Sequence, residues 1–387
     1  PAGRRWVAQH EVDAYREGEQ FVDVLASRPL ILPIAWRHVH EFRDDPAGML
    51  MVDTVETTVP DRLLNSMFRY RHHQLAADIA SMQWSRDLHP QRLTIAISGA
   101  SGTVGSALAP FLRVLGHRVI TLVRRPSDQV DERQWNPASP SPDLLDDVDA
   151  VVHLAGATVA GRFSDAHRAA IRDSRIEPTR RLVAVAETCG VSTFVCASAI
   201  GFYGSNRADE ELTEESVSGE GFLADVVHRW EAAAQSSSMR TVQVRTGIVQ
   251  SPRGGALAVQ LPLFRAGIGG PMGSGSQWQA WIGLDDLLDI YLRAVVDERL
   301  HGPVNAVAPN PVRQRDYART HASVLNRPSV ITTPAMAVRV ALGAEGAAEL
   351  PLASQRVLPA ALQRHGHAFR ATHLEPALRH LLGRERS

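Results

Sequence analysis

Apolar positions change their period along the chain. Over the first ninety residues they fall in short, partly alternating runs at 6–10, 20–25, 34–42 and 49–57, each bounded by Gly, Pro or Asp, as in antiparallel strands. Pro60 and Asp61 then open a helix expected to run to about 81, because Leu63, Leu64, Met67, Phe68, Leu75, Ile79 and Met82 recur at helical spacing. From 92 onward the pattern becomes strand, Gly-rich turn, helix and strand in repetition. Strands are expected at 92–98, 118–123, 150–154, 193–197 and 241–249, helices at 104–115 and 222–236, and one or two helices over 164–189, broken near Pro178. Such alternation makes the strands parallel, with helices on both faces. The stretch 135–142, WNPASPSP, is a loop by composition. A Gly-rich segment after about 254, a helix at 285–298 and a mostly helical tail from about 334 to 382 follow. The expected fold class is α/β, a doubly wound parallel sheet over 91–310, preceded by a thin α+β segment at 1–90 and followed by a small helical domain at 311–387.

Composition narrows the chemistry. The 387 residues carry 41 cationic and 42 acidic side chains, and every cation is arginine; lysine is absent. That excludes Schiff-base catalysis, a pyridoxal phosphate anchor, a phosphate loop built on the GK[ST] lysine and a Tyr-Lys hydride-transfer pair. A GC-rich genome would produce the same bias. A net charge of −1 offers no basic footprint for nucleic acid or a membrane surface. No apolar run nears the ~20 residues of a membrane span, and no charged-then-apolar leader opens the chain. Cys189 and Cys196 suit neither a disulfide scaffold nor a zinc site, so a reducing cytoplasm is the expected compartment. Pro1 in place of Met implies a chain that is trimmed or begins inside a longer gene product. His38 and His40 share one strand face, but the sequence offers no third donor at sensible spacing, and no metal is expected.

The strongest motif is Gly99-Ala100-Ser101-Gly102-Thr103-Val104-Gly105, between a buried strand and a helix. There Gly99 permits the tight turn, Gly102 lets a pyrophosphate approach the backbone, and Gly105 lets helix and strand pack closely. The free amides of the helix N-terminus then hold phosphate charge. Where an NAD-specific site places an acid after the second strand, this chain has Arg124 and Arg125. A guanidinium pairs a 2′-phosphate bidentately, which favours NADP(H) as cofactor; a solvated arginine pair is the plain alternative.

The GxxGxxG spacing resembles the short-chain dehydrogenase/reductase superfamily, and His153-Leu154-Ala155-Gly156 its extended branch. Further runs resemble the atypical "epimerase family" proteins of unassigned substrate: Trp135-Asn136-Pro137, Ser174-Arg175-Ile176, Ser198-Ala199-Ile200-Gly201-Phe202-Tyr203-Gly204, Trp230-Glu231-Ala232-Ala233, Arg245-Thr246-Gly247, Gly269-Gly270-Pro271-Met272-Gly273 and Ser354-Gln355-Arg356-Val357. Together they cover about 92–383. The resemblance implies a Rossmann-type NADP-binding fold, with cofactor contacts on Gly99, Ala100, Ser101, Gly102, Thr103, Val104, Arg124, Leu154, Ala155, Gly156 and Arg175. For Arg175, a salt bridge to Asp173 or Glu177 is the alternative. Where the family carries His after Trp281-Ile282, this chain has Gly283. The N-terminal runs Trp36-Arg37-His38-Val39-His40-Glu41-Phe42 and Met51-Val52-Asp53-Thr54-Val55-Glu56 resemble the C-terminal half of a START-like polyketide cyclase/dehydrase domain, which implies an apolar cavity only part of which is present.

Catalysis is less legible. Extended reductases use Ser, Tyr and Lys together, yet counting about 24 residues from Ser198 lands on Phe222, and four further on Val226, neither able to move a proton. The remaining proton-transfer candidates are Ser198, Tyr203, Asp225 and Glu231, a carboxyl serving only if burial raises its pKa. Two readings follow: an NADP(H)-dependent oxidoreductase or epimerase-like enzyme, or a non-catalytic NADP sensor or scaffold. The expected partner is a small-molecule substrate, apolar or sugar-like, bound between the 267–281 loop and the tail, with Trp278 and Trp281 as candidate walls. A homodimer is the candidate assembly.

Overall fold

The computed structural model describes residues 7–27, 34–46, 48–236 and 238–385. It divides into two compact units, residues 1–72 and 73–387.

In the first unit β1 (Ala8–His10), β2 (Gln20–Leu25), β3 (Trp36–Asp45) and β4 (Gly48–Thr57) form an antiparallel sheet in chain order. Trp6, the expected start of β1, lies outside the described residues. α1 (Asp61–Leu88) follows and runs seven residues past its expected end at 81. The boundary between units therefore falls inside this helix rather than near 90. The sequence could not place it, because from His73 on the helix belongs to the larger unit, where Met82, Trp84 and Leu88 pack against the main core.

The second unit is built on β5 (Thr94–Ser98), α2 (Gly105–Val114), β6 (Arg118–Val123), β7 (Glu132–Gln134), β8 (Ala150–His153), α3 (Asp165–Asp173), α4 (Ile176–Thr188), β9 (Thr193–Ala199), β10 (Asn206–Leu212), α5 (Phe222–Ala233), β11 (Arg240–Thr246), β12 (Ile248–Gln250), α6 (Gly255–Arg265), β13 (Trp278–Gln279), β14 (Trp281–Gly283), α7 (Leu284–Val296), β15 (Gly302–Ala306), β16 (Val312–Arg313), α8 (Gln314–Val324), α9 (Ala335–Glu349), β17 (Ser354–Val357), α10 (Ala360–Arg364) and α11 (Leu374–Leu381). Seven of these strands form an all-parallel sheet in the order β15-β11-β9-β8-β5-β6-β7. The order reverses direction at β5, which lies between β6 and β8, and that switch point is where open α/β sheets bind ligands. Alternate residues of β5 serve opposite cores: Ile95 and Ile97 pack with Leu108, Leu112 and Leu287, while Ala96 packs with Val151, Leu182 and Phe194. Burial on both faces is why these strands read as continuous apolar runs.

Three details differ from expectation. The break in 164–189 falls at Ser174 and Arg175, and Pro178 sits in the first turn of α4, where its missing N–H costs nothing. The strand expected at 241–249 divides at Gly247 into β11, in the main sheet, and β12, which pairs with β14; a Cβ at Gly247 would lie 2.6 Å from the Ala280 carbonyl oxygen. The Gly-rich segment contains α6. No helix among the described residues is long and apolar enough to cross a membrane.

Two acids of α7 anchor the tail. The Arg370 and Ala371 amides donate to Asp286 at 2.6 and 3.2 Å, and the Arg370 guanidinium spans Asp289 at 2.6 and 3.0 Å and reaches Asp78 at 2.9 Å. Burial, opposed by the Arg370 amide and helped by the charge of Asp289, raises the Asp286 carboxyl from 3.8 to about 7. The folded chain thus keeps a proton that the unfolded chain releases. This stabilisation is complete below about pH 4 and is lost as the pH climbs to about 7. Asp286→Asn is expected to remove roughly 2–3 kcal/mol of the fall in stability between pH 5 and 7.5. Urea denaturation at both pH values checks this; equal pH dependence in variant and parent would contradict it.

Candidate cofactor and substrate site

The glycine loop joins β5 to α2 at the switch point. Gly99 has φ +74°, and a Cβ there would lie 2.8 Å from the Ala155 nitrogen, so the loop after β8 crosses directly over it. At Gly105 a Cβ would fall 2.3 Å from the Gly99 carbonyl oxygen, whereas at Gly102 it would meet only that oxygen, at 3.3 Å. Gly99 and Gly105 therefore hold the loop closed, and Gly102 leaves its outer side open. Ala100 to Val104 bring backbone to the helix N-terminus, where no side chain caps α2, leaving amides free for an anion.

Three arginines surround this loop differently. Arg124 and Arg125 end β6, both exposed, but Arg125 is tied to Glu132 at 2.8 Å. Glu132 also accepts from Ser127. Arg175 is half-buried: it donates to the Ala157 carbonyl at 3.0 Å and the Ile171 carbonyl at 3.1 Å, and its Cζ would lie 2.9 Å from a Cβ on Gly156. Asp173 and Glu177 pair instead with Arg172 and Arg180, so Arg175 has no carboxylate partner among the described residues. Burial lowers its pKa to about 10, which still leaves a cation at neutral pH. A half-buried guanidinium without a carboxylate, beside Leu154, Ala155 and Gly156, suits an anion.

Beneath them runs an ordered chain of hydrogen bonds. Thr179 Oγ1 donates to the Arg175 carbonyl at 2.5 Å, so it accepts from Trp230 Nε1 at 2.9 Å and from His153 Nε2 at 3.0 Å. His153 Nδ1 is then an acceptor and takes the Ser98 hydroxyl at 2.6 Å. Burial, reinforced by the Arg175 charge, drops the imidazole to about 3, keeping it neutral.

The proton-transfer candidates converge on Arg245 of β11. It binds Glu231 through both nitrogens at 2.8 Å, donates to the Tyr203 hydroxyl at 3.0 Å, and lies 3.5 Å from the Phe202 ring centre. Burial pulls its pKa down, but the hydrogen bonds and charge of Glu231 more than compensate. Ser198 donates to Glu231 at 2.6 Å. The Tyr203 hydroxyl also lies 2.7 Å from Asn305 Oδ1 and 2.9 Å from the Thr213 carbonyl. Tyr203 is fully buried, and burial outweighs Arg245 and Asn305 to push the phenol up to about 12. Ser198, Tyr203 and Glu231 are thus one structural network, whereas Asp225 is exposed and paired with Arg229. Val226 packs in an apolar cluster with Ile171 and Leu223.

A cavity of about 610 Å³ lies between β10, the loop before β13 and α9, lined by Asn206, Asp209, Ser274, Gln277, Arg313 and Arg339 among others. Trp278 stands near it, its Nε1 on Asp209 at 2.7 Å and Arg313 stacked 4.0 Å above its ring. Trp281 is core, fully buried with Nε1 on the Asn310 carbonyl.

Comparison with known proteins accords with this geometry. The NAD dependent epimerase/dehydratase family model matches residues 95–306 and a domain of unknown function, DUF1731, residues 333–381. The epimerase family protein of Mycobacterium bovis is 42% identical over 290 residues, 73% of this chain and 96% of the relative. The chain belongs to the NAD dependent epimerase/dehydratase family. Among solved members, the nucleoside-diphosphate sugar epimerase from Corynebacterium glutamicum has a TM-score of 0.85 at 42% identity, over 100% of this chain and 79% of its own. Human epimerase family protein SDR39U1, crystallised with NADPH, has a TM-score of 0.69 at 30% identity, over 75% and 99%.

Several residues that shape this family member's site carry no local sequence signal. Asn305 and Glu214 are joined through the Asn305 amide at 2.9 Å. Glu349 of α9 caps α5 by accepting from the Phe222 and Leu223 amides at 2.9 and 2.7 Å. The place where the sequence pattern lacks the family's histidine, Gly283, ends β14 directly before α7, and a Cβ there would sit 3.5 Å from Asp286.

Proposed function

We propose that this chain is an NADP(H)-dependent oxidoreductase or epimerase-like enzyme that works on a sugar-like, phosphorylated small molecule without a Tyr-Lys pair. The observation that carries the cofactor choice is just after β6: where an NAD site places an acid this chain has Arg124, exposed and without an ion pair among the described residues, beside Arg125, which is held by Glu132. The human relative crystallised with NADPH supports it. Arg124 would hold the 2′-phosphate, the amides from Gly99 to Val104 the pyrophosphate, and Arg175 with Leu154 to Gly156 the remaining wall. When bound, the nicotinamide supplies hydride transfer. The polar lining of this cavity, where Arg313 pairs with Asp209 and Arg339 adds a second cation, favours a sugar-like, anionic substrate over an apolar one. The N-terminal antiparallel sheet and its following helix support the START-like reading of that segment.

Fluorescence titration tests the cofactor. NADPH is expected to bind at least about tenfold tighter than NADH, and Arg124→Ala to cost NADPH about 10–100-fold while leaving NADH unchanged. Equal affinities for the two dinucleotides in the parent chain would overturn the assignment. A second reading, an NADP sensor, is favoured by one observation: Ser198, Tyr203 and Glu231 are all consumed by Arg245 or by each other. Incubating the holoprotein with sugar nucleotides and following NADPH oxidation or epimer formation separates the two, since tight binding without turnover supports the sensor.

A further inference from the structure

The N-terminal sheet gathers a donor set that sequence spacing hides. Asp23 of β2 pairs in register with His38 of β3, and His40 with Asp53 of β4, so all four side chains share one face. Both histidines and Asp53 are almost fully buried, and Asp23 is 17% exposed at the rim. Asp23 Oδ2 lies 2.9 Å from His40 Nε2 and 3.5 Å from His38 Nδ1, and one donor atom from each of these three residues lies within 4.8 Å of the others. The opposite ring nitrogens, His38 Nε2 and His40 Nδ1, both face Asp53 Oδ1, at 2.8 and 2.9 Å. Asp53 is in turn held by His72 at 2.9 Å and Arg71 at 3.2 Å. Stacking of Phe21 on His40, 3.9 Å between ring centres, and the edge contact of Phe68 with His38 fix the rings.

Two imidazoles and a carboxylate on one side, with a second carboxylate behind both imidazoles, is how proteins hold a divalent metal and orient its histidines. We propose that Asp23, His38 and His40 bind one zinc-class divalent ion, with Asp53 accepting the outward N–H of both imidazoles. Three protein ligands leave a coordination position for water or for an oxygen of a bound molecule. The charge balance suits a cation: the buried Asp53 and the rim Asp23 bring two negative charges, and the guanidinium of Arg71 pairs with Asp53. Arg71 also lies 3.0 Å from His40 Nδ1 and 3.2 Å from His38 Nε2, on the Asp53 side of both rings. With both ring N–H groups on Asp53, His38 Nδ1 and His40 Nε2 turn their lone pairs toward the Asp23 side, where the cation would sit.

The test uses the full chain stripped with chelator and titrated with Zn²⁺ by calorimetry and Co²⁺ by visible absorbance. One equivalent is expected, and the Co²⁺ complex should show ligand-field bands without thiolate charge transfer. His38→Ala and His40→Ala should each weaken binding at least about 100-fold, and Asp53→Asn by about 10–100-fold with the stoichiometry kept at one. His380→Ala, which alters the separate His73, His380 and Glu385 cluster, should leave the affinity unchanged. Should the histidine variants lose the N-terminal fold by circular dichroism, Asp23→Asn at the rim decides, with a loss of at least about tenfold expected. No stoichiometric binding by the parent chain, binding unchanged in Asp23→Asn, or binding lost only in His380→Ala would each overturn the proposal.

Discussion

Gly105→Val is expected to abolish measurable NADPH binding, raising Kd more than about 100-fold, and to destabilise the larger unit by roughly 3 kcal/mol or more. The new Cβ would fall 2.3 Å from the Gly99 carbonyl oxygen and 2.7 Å from the Ala100 Cα, both backbone atoms of the loop proposed to cradle the pyrophosphate. Neither can yield without moving Gly99, which is itself held at φ +74° beneath the Leu154–Ala155 peptide. Gly102→Ala makes the contrast. Its Cβ has only a 3.3 Å contact, so the fold should survive while the phosphate-facing side fills, and affinity should drop with little change in melting temperature. Titration and thermal melts of both variants distinguish loop collapse from simple crowding. A Gly105→Val protein binding within tenfold of the parent would contradict the loop's role.

Glu231→Ala is expected to cost about 3–5 kcal/mol, because it strands the Arg245 cation in the interior. The carboxylate it removes accepts three hydrogen bonds, two from Arg245 and one from Ser198, and only 11% of its side chain is exposed. Truncating both partners, as in Glu231→Leu with Arg245→Leu, should recover much of the loss, since no buried charge is left alone. Denaturant unfolding of Glu231→Leu, Arg245→Leu and the double gives the coupling. A cost below about 1 kcal/mol for Glu231→Ala would show the pair to be wet and weak.

How far the sequence could be read follows from how local each feature is. The β5–loop–α2 unit was legible because its strand, glycines and helix are contiguous and each has its own periodicity. The parallel sheet followed from the alternation of elements, with its order set by crossovers. The pairing of Arg175 was not legible. Asp173 and Glu177 stood as near neighbours, but the helix break turns Arg175 inward and leaves those acids to Arg172 and Arg180. Likewise Arg245 stood in a recognised run, yet its grip on Glu231 and Tyr203 depends on β11 lying beside β9. Asp23 escaped notice as a third donor beside His38 because its proximity is a matter of strand register, which no spacing along one strand reveals. The end of α1 was misjudged for a related reason, since its last turns are held by contacts with residues hundreds of positions away.

The hydrogen bonds from Ser98 through His153 and Thr179 to the Arg175 carbonyl all point one way. Such a series has a polarity, and no single member can be reversed, because a flipped imidazole would set hydrogen against hydrogen at one end and lone pair against lone pair at the other. The indole of Trp230 closes the alternative route by filling the remaining acceptor of Thr179. His153 is therefore frozen in one tautomer and behaves as a mortise between β5, β8 and α4 rather than as a proton carrier. Any variant that breaks this sense, Thr179→Val for instance, would be felt beneath Arg175, in the proposed dinucleotide site, without touching a ligand.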